Sequence, residues 1–159
     1  MHSAQRQDFI VRPLTPPDLP QLRELNSVFG EAFHDSETYG SEPPDDRYVS
    51  ELLADPRVIV LVALVDAKVI GGLVAYELRK FERERSEIYI YDLAVAEPFR
   101  RRGVASELLE RLCGTAAQRG ASAVFVQADY VDAPAIALYG KFGTREEVLH
   151  FDIRPSTAL

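Results

Sequence analysis

The sequence predicts a mixed α/β domain with a mostly antiparallel central sheet and flanking helices. Three observations predict it. Apolar runs at 58–65, 69–78 and 86–95 follow one another across short turn-forming or charged connections, as hairpin strands do. After Gly103 the apolar spacing switches to the helical period. A short apolar run returns at 123–128, so strand 86–95, helix 104–119 and this strand make one β-α-β unit.

Each element has a local reason. "FIVRPL" at 9–14 reads as a first strand. In "TPPD", Thr15 is positioned to cap a helix, prolines fit its first turn, and Asp18 suits its dipole. Leu19, Leu22, Leu25, Val28 and Phe29 then keep helical spacing, and Gly30 falls near the end. "HDSETYGSEPPDDR" at 34–47 is polar, acidic and proline-bearing, and reads as a surface loop. A second helix follows around Tyr48–Ala54, capped by Asp45 or Asp46. "DAK" turns strand 58–65 into strand 69–78, which Gly71-Gly72 weakens locally. Val104, Leu108, Leu109, Leu112 and Ala116 share one helical face, and Gly120 stops that helix. Pro134–Phe142 reads as a helix ended by Gly143, and "REEVLHFDI" at 145–153 alternates like a last strand.

Composition narrows the function classes. The 159 residues fit one domain, 1–159, without internal repeats. No apolar run nears the roughly 20 residues of a membrane helix, and "MHSAQRQDF" lacks an apolar signal core, so a cytoplasmic protein without a membrane partner is expected. The net charge of −7 argues against sustained nucleic-acid binding and favours a cationic partner. The single cysteine, Cys113, allows no internal disulfide and reads as helix packing. His2, His34 and His150 are far apart, so no metal site is expected.

Against that acidity, "FRRRGVA" stands out at the junction of strand and helix. Arg100, Gly103 and Ala105 fit Arg/Gln-x-x-Gly-x-Gly/Ala. A helix start offers unpaired N–H groups and partial positive charge, small residues let a diphosphate approach, and arginines add charged hydrogen bonds. Neither a P-loop nor a dinucleotide fingerprint is present. Taken alone, the motif is also compatible with a solvated basic helix start. Downstream, "DAPAIALYGKFG" carries Tyr139 on a helix. By itself such a tyrosine is either core packing or a neutral proton donor.

Together these motifs resemble the GNAT superfamily of N-acetyltransferases across nearly the whole chain. The carriers are the element order, "DLAV", "RRRGVA" and "ALYGKFG". The resemblance implies a fourth strand bulged and splayed from the fifth, with the pantetheine arm of acetyl-CoA bonded to the backbone of Leu93, Ala94 and Val95. It implies a pyrophosphate held at Arg100, Arg101, Arg102, Gly103, Val104 and Ala105, and Tyr139 as the acid for the departing thiolate. Many members have Asn seven residues before that tyrosine; Asp132 replaces it here, which puts a cofactor-side contact there in doubt. A homodimer is a recurrent assembly in the superfamily. The stretches "RSEIYIYDLAV", "YELRKFE" and "VQADYVDAPAIALYGKFGTREEVLHFDI" are similar to aminoglycoside 3-N-acetyltransferases of the gentamicin-modifying type. That implies acetyl transfer to the 3-amino group of the 2-deoxystreptamine ring, hence antibiotic resistance.

An amine attacks a thioester only as the free base, so an ammonium substrate needs a proton acceptor. Asp92, one residue before the pantetheine stretch, is the first choice for that base and touches substrate in this reading; Glu87 is the second. Each is also readable as an ordinary structural or surface acid. The N–H near Leu93 is placed to polarise the thioester oxygen. Glu37, Asp129, Tyr130 and Asp152 are candidates for lining a groove for a polycation. Two other functions fit the same motifs: acetylation of another small amine or a protein lysine, and a domain that senses acyl-CoA without turnover.

Overall fold

In the computed structural model, which describes residues 8–156, one five-stranded sheet organises the fold. Its strands are β1 (Ile10–Pro13), β2 (Val58–Val65), β3 (Lys68–Arg79), β4 (Ser86–Val95) and β5 (Val124–Val126), side by side in that order. The first four pair antiparallel, and β4 and β5 pair parallel across a helical crossover. The helices are α1 (Leu19–Ala32), α2 (Ser36–Gly40), α3 (Asp46–Ala54), α4 (Val104–Arg119) and α5 (Ala133–Gly140). The chain divides into two compact units, one running to Gln127 and the other from Ala128 onward. The first holds the sheet and α1 to α4; the second holds α5.

Alternation along the strands gives the sheet two apolar faces. Val60, Val62, Leu64, Val69 and Ala94 meet Leu22, Leu25 and Phe29 of α1 with Val49 and Leu53 of α3. Ile59, Leu61, Leu73, Ala75, Ile88 and Ile90 alternate to the other face, and the five residues expected on the inner face of α4 are all buried. Gly120 ends α4 in the left-handed region at φ 72. Burial on both sides accounts for the near-continuous apolar run of β2.

Four local expectations are corrected. The helix after "TPPD" is not capped by Thr15. Asp18 is its N-cap residue, and the Asp18 carboxylate instead accepts from the Thr15 N–H and hydroxyl and from Arg12. Residues 36–40 are a helix inside the expected loop, because Asp35 accepts from Thr38 N–H and caps it. Residues 145–153 carry no strand, and Val148, Leu149, Phe151 and Ile153 are exposed. Alternation there has no ladder to join, and pattern without pairing does not hold a strand. Cys113 lies on the exposed side of α4 rather than in packing.

The glycine pair in β3 has a packing reason. A Cβ on Gly72 would lie 2.5 Å from the Leu61 carbonyl oxygen and 2.6 Å from Leu25 Cδ1. Gly72 therefore sets how closely α1 approaches the sheet. Gly72→Ala is expected to cost about 2 kcal/mol through this overlap, read as a lowered thermal midpoint. Gly114→Ala in α4, where a Cβ meets nothing within 4 Å, is expected to be neutral or to stabilise by about 0.5–1 kcal/mol.

Candidate active site

One extra residue in β4 determines which side chains face which helix. Val74 pairs with Asp92, but the next residue, Ala75, pairs with Ile90. Tyr91 is thus a bulge. Before it, Ile88 and Ile90 point to the α4 face while Glu87 and Tyr89 share the opposite face. An unbroken alternation would carry Asp92 to the α4 face with the isoleucines. The bulge reverses the phase, so Asp92 shares the face of Val74, Tyr76 and Ala94, beneath α1 and α2.

Asp92 is half-buried there, and the Tyr39 hydroxyl of α2 donates to its Oδ1 at 2.8 Å. Burial pushes the Asp92 carboxyl above the usual carboxylate range, and the bond from Tyr39 partly offsets this. Tyr39 is itself pushed up, first by burial and then by its bond to Asp92. Around the bulge runs an aromatic row. Tyr91, 64% exposed, meets Tyr76 and Tyr89 edge-on at 6.1 and 5.8 Å, and Tyr89 stacks on Phe125 at 4.8 Å.

Beyond the bulge, β4 loses its second neighbour. β5 pairs only with Ile88–Ile90. Ala96 N–H donates to Ile70 O, so alternation directs the Ala94 backbone toward β3 and the Leu93 and Val95 backbone groups to the unpaired side. Arg100 Nε takes up one of these, the Val95 carbonyl, at 2.9 Å. Leu93 N–H and C=O and Val95 N–H are therefore directed where β5 no longer runs.

The chain next makes a 3-10 turn at Glu97–Phe99 and enters α4 through "RRRG". Arg101 and Gly103 are left-handed, at φ 61 and 81. Gly103 is the N-cap residue and brings no capping side chain, so the first-turn N–H groups of α4 are left open to a ligand. Arg102 lies over the Phe99 ring at 5.6 Å. Among the described residues, none of Arg100, Arg101 and Arg102 has a carboxylate ion-pair partner. Uncapped N–H groups, a helix dipole and unneutralised guanidinium groups fit a diphosphate.

Each remaining sequence candidate has its own local setting. Glu87 lies at the start of β4 and pairs with Lys80 at 3.7 Å and Arg85 at 4.0 Å, so its carboxylate serves the charged connection rather than the bulge. Glu37 is exposed on α2, the helix that carries Tyr39. Asp129, Tyr130, Asp132, Tyr139 and Asp152 belong to the second unit. Asp132 caps α5 by accepting from Ala135 N–H at 3.1 Å. Arg145 lies over the Tyr130 ring, and Asp152 bonds to His150 in the open. Tyr139 is pushed up to about 12 by burial and then by the Asp132 charge, so its hydroxyl keeps its proton at neutral pH. No group of His, Cys, Asp and Glu among the described residues is arranged to hold a metal, and His2 lies outside them. No described helix is long and apolar enough to cross a membrane.

Residues 20–144 match the family model described as Acetyltransferase (GNAT) family. The chain belongs to the GNAT acetyltransferase family. Members of this family use acetyl-CoA, and the fold is the expected mixed sheet with parallel β4 and β5. An aminoglycoside acetyltransferase from an uncultured soil metagenomic sample is 53% identical over 93% of this chain and 99% of that one, with a TM-score of 0.91. A second soil metagenomic aminoglycoside acetyltransferase is 31% identical over 93% and 97% of the two chains, with a TM-score of 0.86, and is known in complex with sisomicin and with trehalose. An N-alpha-acetyltransferase of Arabidopsis thaliana is 40% identical over 55 residues, which is 35% of this chain and 29% of that protein.

Sequence reasoning missed Tyr39 and the Tyr76–Tyr91 contact. The signal for Tyr39 was "DSET", an Asp with a backbone partner three residues on, which starts a helix. Five residues are too few to show a period.

Proposed function

We propose that this GNAT member transfers the acetyl group of acetyl-CoA to the 3-amino group of the 2-deoxystreptamine ring of a gentamicin-like aminoglycoside. The observation that carries the reading is Asp92, a half-buried carboxylate turned by the Tyr91 bulge to stand beside an unpaired strand edge and an aromatic row. A carboxylate flanked by tyrosine rings suits an amino sugar, whose ring packs on aromatic faces while its ammonium meets the acid. The 53% identical aminoglycoside acetyltransferase and the sisomicin-bound relative support that acceptor class.

Acetyl-CoA supplies the activated acyl group that the amine attacks. In the proposed mechanism the chain positions it and moves two protons. The α4 N-terminus with Arg100 to Ala105 holds the diphosphate, and the backbone of Leu93 and Val95 takes the pantetheine arm. Leu93 N–H polarises the thioester oxygen. Asp92 accepts the ammonium proton, which frees the nitrogen lone pair. Tyr139, assigned from its motif, gives its proton to the departing sulfur as the C–S bond breaks, and the second nitrogen proton, shed as the amide forms, restores the tyrosine through water. Glu87 has no part in this reading because two cations already pair with it. Glu37, Asp129, Tyr130 and Asp152, assigned from the sequence alone, are the anionic or aromatic candidates for holding the polycation.

A thiol-release assay with gentamicin, spermidine and a lysine peptide tests the acceptor. Release is expected with gentamicin, and NMR of the product is expected to place the acetyl on the 3-amine. Release with another amine but not gentamicin overturns the acceptor class. Acetylation at a different amine overturns the regiochemistry, and tight acyl-CoA binding without release on any amine turns the reading into that of a sensor.

Asp92→Asn is expected to lose rate most at low pH. There the acceptor amine is charged and needs the base; at high pH it is already free. An unchanged pH–rate profile removes Asp92 from this role. Tyr139→Phe is expected to lower turnover by about 10- to 100-fold while leaving the Kd for acetyl-CoA nearly unchanged. Turnover near wild type would show that another group, or water, protonates the sulfur.

A further inference from the structure

We propose that Tyr39 is the positioning residue of the proton acceptor: its hydroxyl holds Oδ1 of Asp92, so that Oδ2 is the oxygen offered to the acceptor ammonium. The inference rests on Asp92 being the base and adds the group that aims it.

The geometry is heavily constrained. Tyr39 donates to Oδ1 at 2.8 Å, and among the described residues Oδ2 receives no hydrogen bond. The Tyr39 ring packs against Phe29 at 5.9 Å and Phe33 at 5.7 Å, and Phe29 is fully buried. The backbone that carries the ring is tied down as well. Asp35 N–H donates to Gly30 O at 3.0 Å, and Tyr39 N–H donates to Asp35 O at 3.3 Å. His34 turns the chain between α1 and α2 in the left-handed region at φ 52. A Cβ on Gly30 would lie 3.3 Å from Tyr39 Cβ, so α1 lies close against the base of the Tyr39 side chain. The tyrosine is thus fixed at both ends, by core packing and by the carboxylate.

Chemistry separates the two roles. Burial shifts Asp92 toward higher proton affinity, and in its protonated form the carboxyl no longer serves as a base. A hydroxyl donating to Oδ1 favours the ionised form. The ammonium proton then passes to Oδ2, the nitrogen keeps the freed electron pair, and Tyr39 retains its own proton throughout. Burial and the neighbouring carboxylate hold the Tyr39 hydroxyl protonated across the working range, so it acts as a fixed donor and not as the base. The ionisable groups around Asp92 are Tyr39 from α2, Tyr76 from β3, and Tyr89 and Tyr91 from β4, with Asp35 beyond Tyr39. No Arg, Lys or His among the described residues pairs with Asp92, so the Tyr39 bond is the main opposing influence to burial.

The test is the kcat–pH profile of Tyr39→Phe, which keeps the ring in place and removes one oxygen. Activity requires ionised Asp92, so the acid limb is expected to move to higher pH, by about one unit for a lost bond to a carboxylate. The thermal midpoint and the Kd for acetyl-CoA are expected to stay close to wild type. In the Asp92→Asn background the same change is expected to have little further effect. An acid limb that stays in place, or an equal rate loss in that background, overturns the positioning role. If Asp92→Asn itself leaves the profile unchanged, the base assignment fails first, and that outcome is visible without the Tyr39 variant.

Discussion

The site depends on one extra residue in one strand. Without the bulge at Tyr91, Asp92 would follow Ile88 and Ile90 into the apolar face under α4. An unpaired carboxylate there would face a large desolvation penalty. With the bulge, the same strand serves two environments. Its first half fills the α4 core, and its second half presents an acid beneath α1 and α2 and an apolar Ala94 to the α1 core. The bulge also coincides with the point where β5 stops pairing. The change of face and the loss of a neighbour therefore occur together, and a carboxylate and an open strand edge fall side by side.

The surrounding fold stabilises this arrangement by close packing on the same face of the sheet. Gly72 lets Leu25 settle against the sheet, and α1 then brings Phe29 and Phe33 to the place where α2 must turn back. The chain reverses at His34 and Asp35, and the aromatic trio locks α2 in place. A glycine chosen for contact with a leucine thus influences, through one helix and one turn, where a tyrosine hydroxyl meets Asp92. Helix α4 is anchored separately. Arg119 at its C-terminal end bonds to Glu77 and to the Pro56 carbonyl, and Ser86 completes the Glu77 pair. Among the described residues, its N-terminal end has no such partners.

Much of this was legible in the residues, for physical reasons that differ by element. Strands β2 to β4 and helix α4 each bury a long face, so their periods are strong and their limits were read within about one residue. The uncapped, arginine-flanked start of α4 was legible because a glycine after a polar run, followed by a helical apolar period, marks such a turn. Helix α2 was not, since it is held by one Asp cap and one half-buried ring rather than by a repeated pattern. The direction of Asp92 was also hidden. Alternation predicts a face only while the register is unbroken, and a bulge depends on pairing with β3, which one strand's sequence does not state. Residues 145–153 show the reverse error, an alternating pattern with no ladder to enlist it.

The charge distribution follows from the same economy of partners. The chain carries a net charge of −7, and many of its arginines pair with carboxylates, as Arg12 does with Asp18 and Arg57 with Asp55. The triple before Gly103 differs. Arg100 holds a carbonyl, Arg102 lies over an aromatic ring, and Arg101 is exposed in a left-handed backbone. Two are oriented by neutral partners, which fixes their direction without cancelling their charge. Neutralisation by a neighbouring carboxylate would remove the very attraction an anionic ligand needs, whereas a carbonyl or a ring leaves it intact. An acidic protein thereby keeps one uncancelled cationic edge at the start of α4, beside a strand whose acid and aromatic rings suit a cationic acceptor. An uncancelled cationic turn at the end of β4 and a carboxylate within it accord with the proposed transfer from an anionic donor to a cationic acceptor.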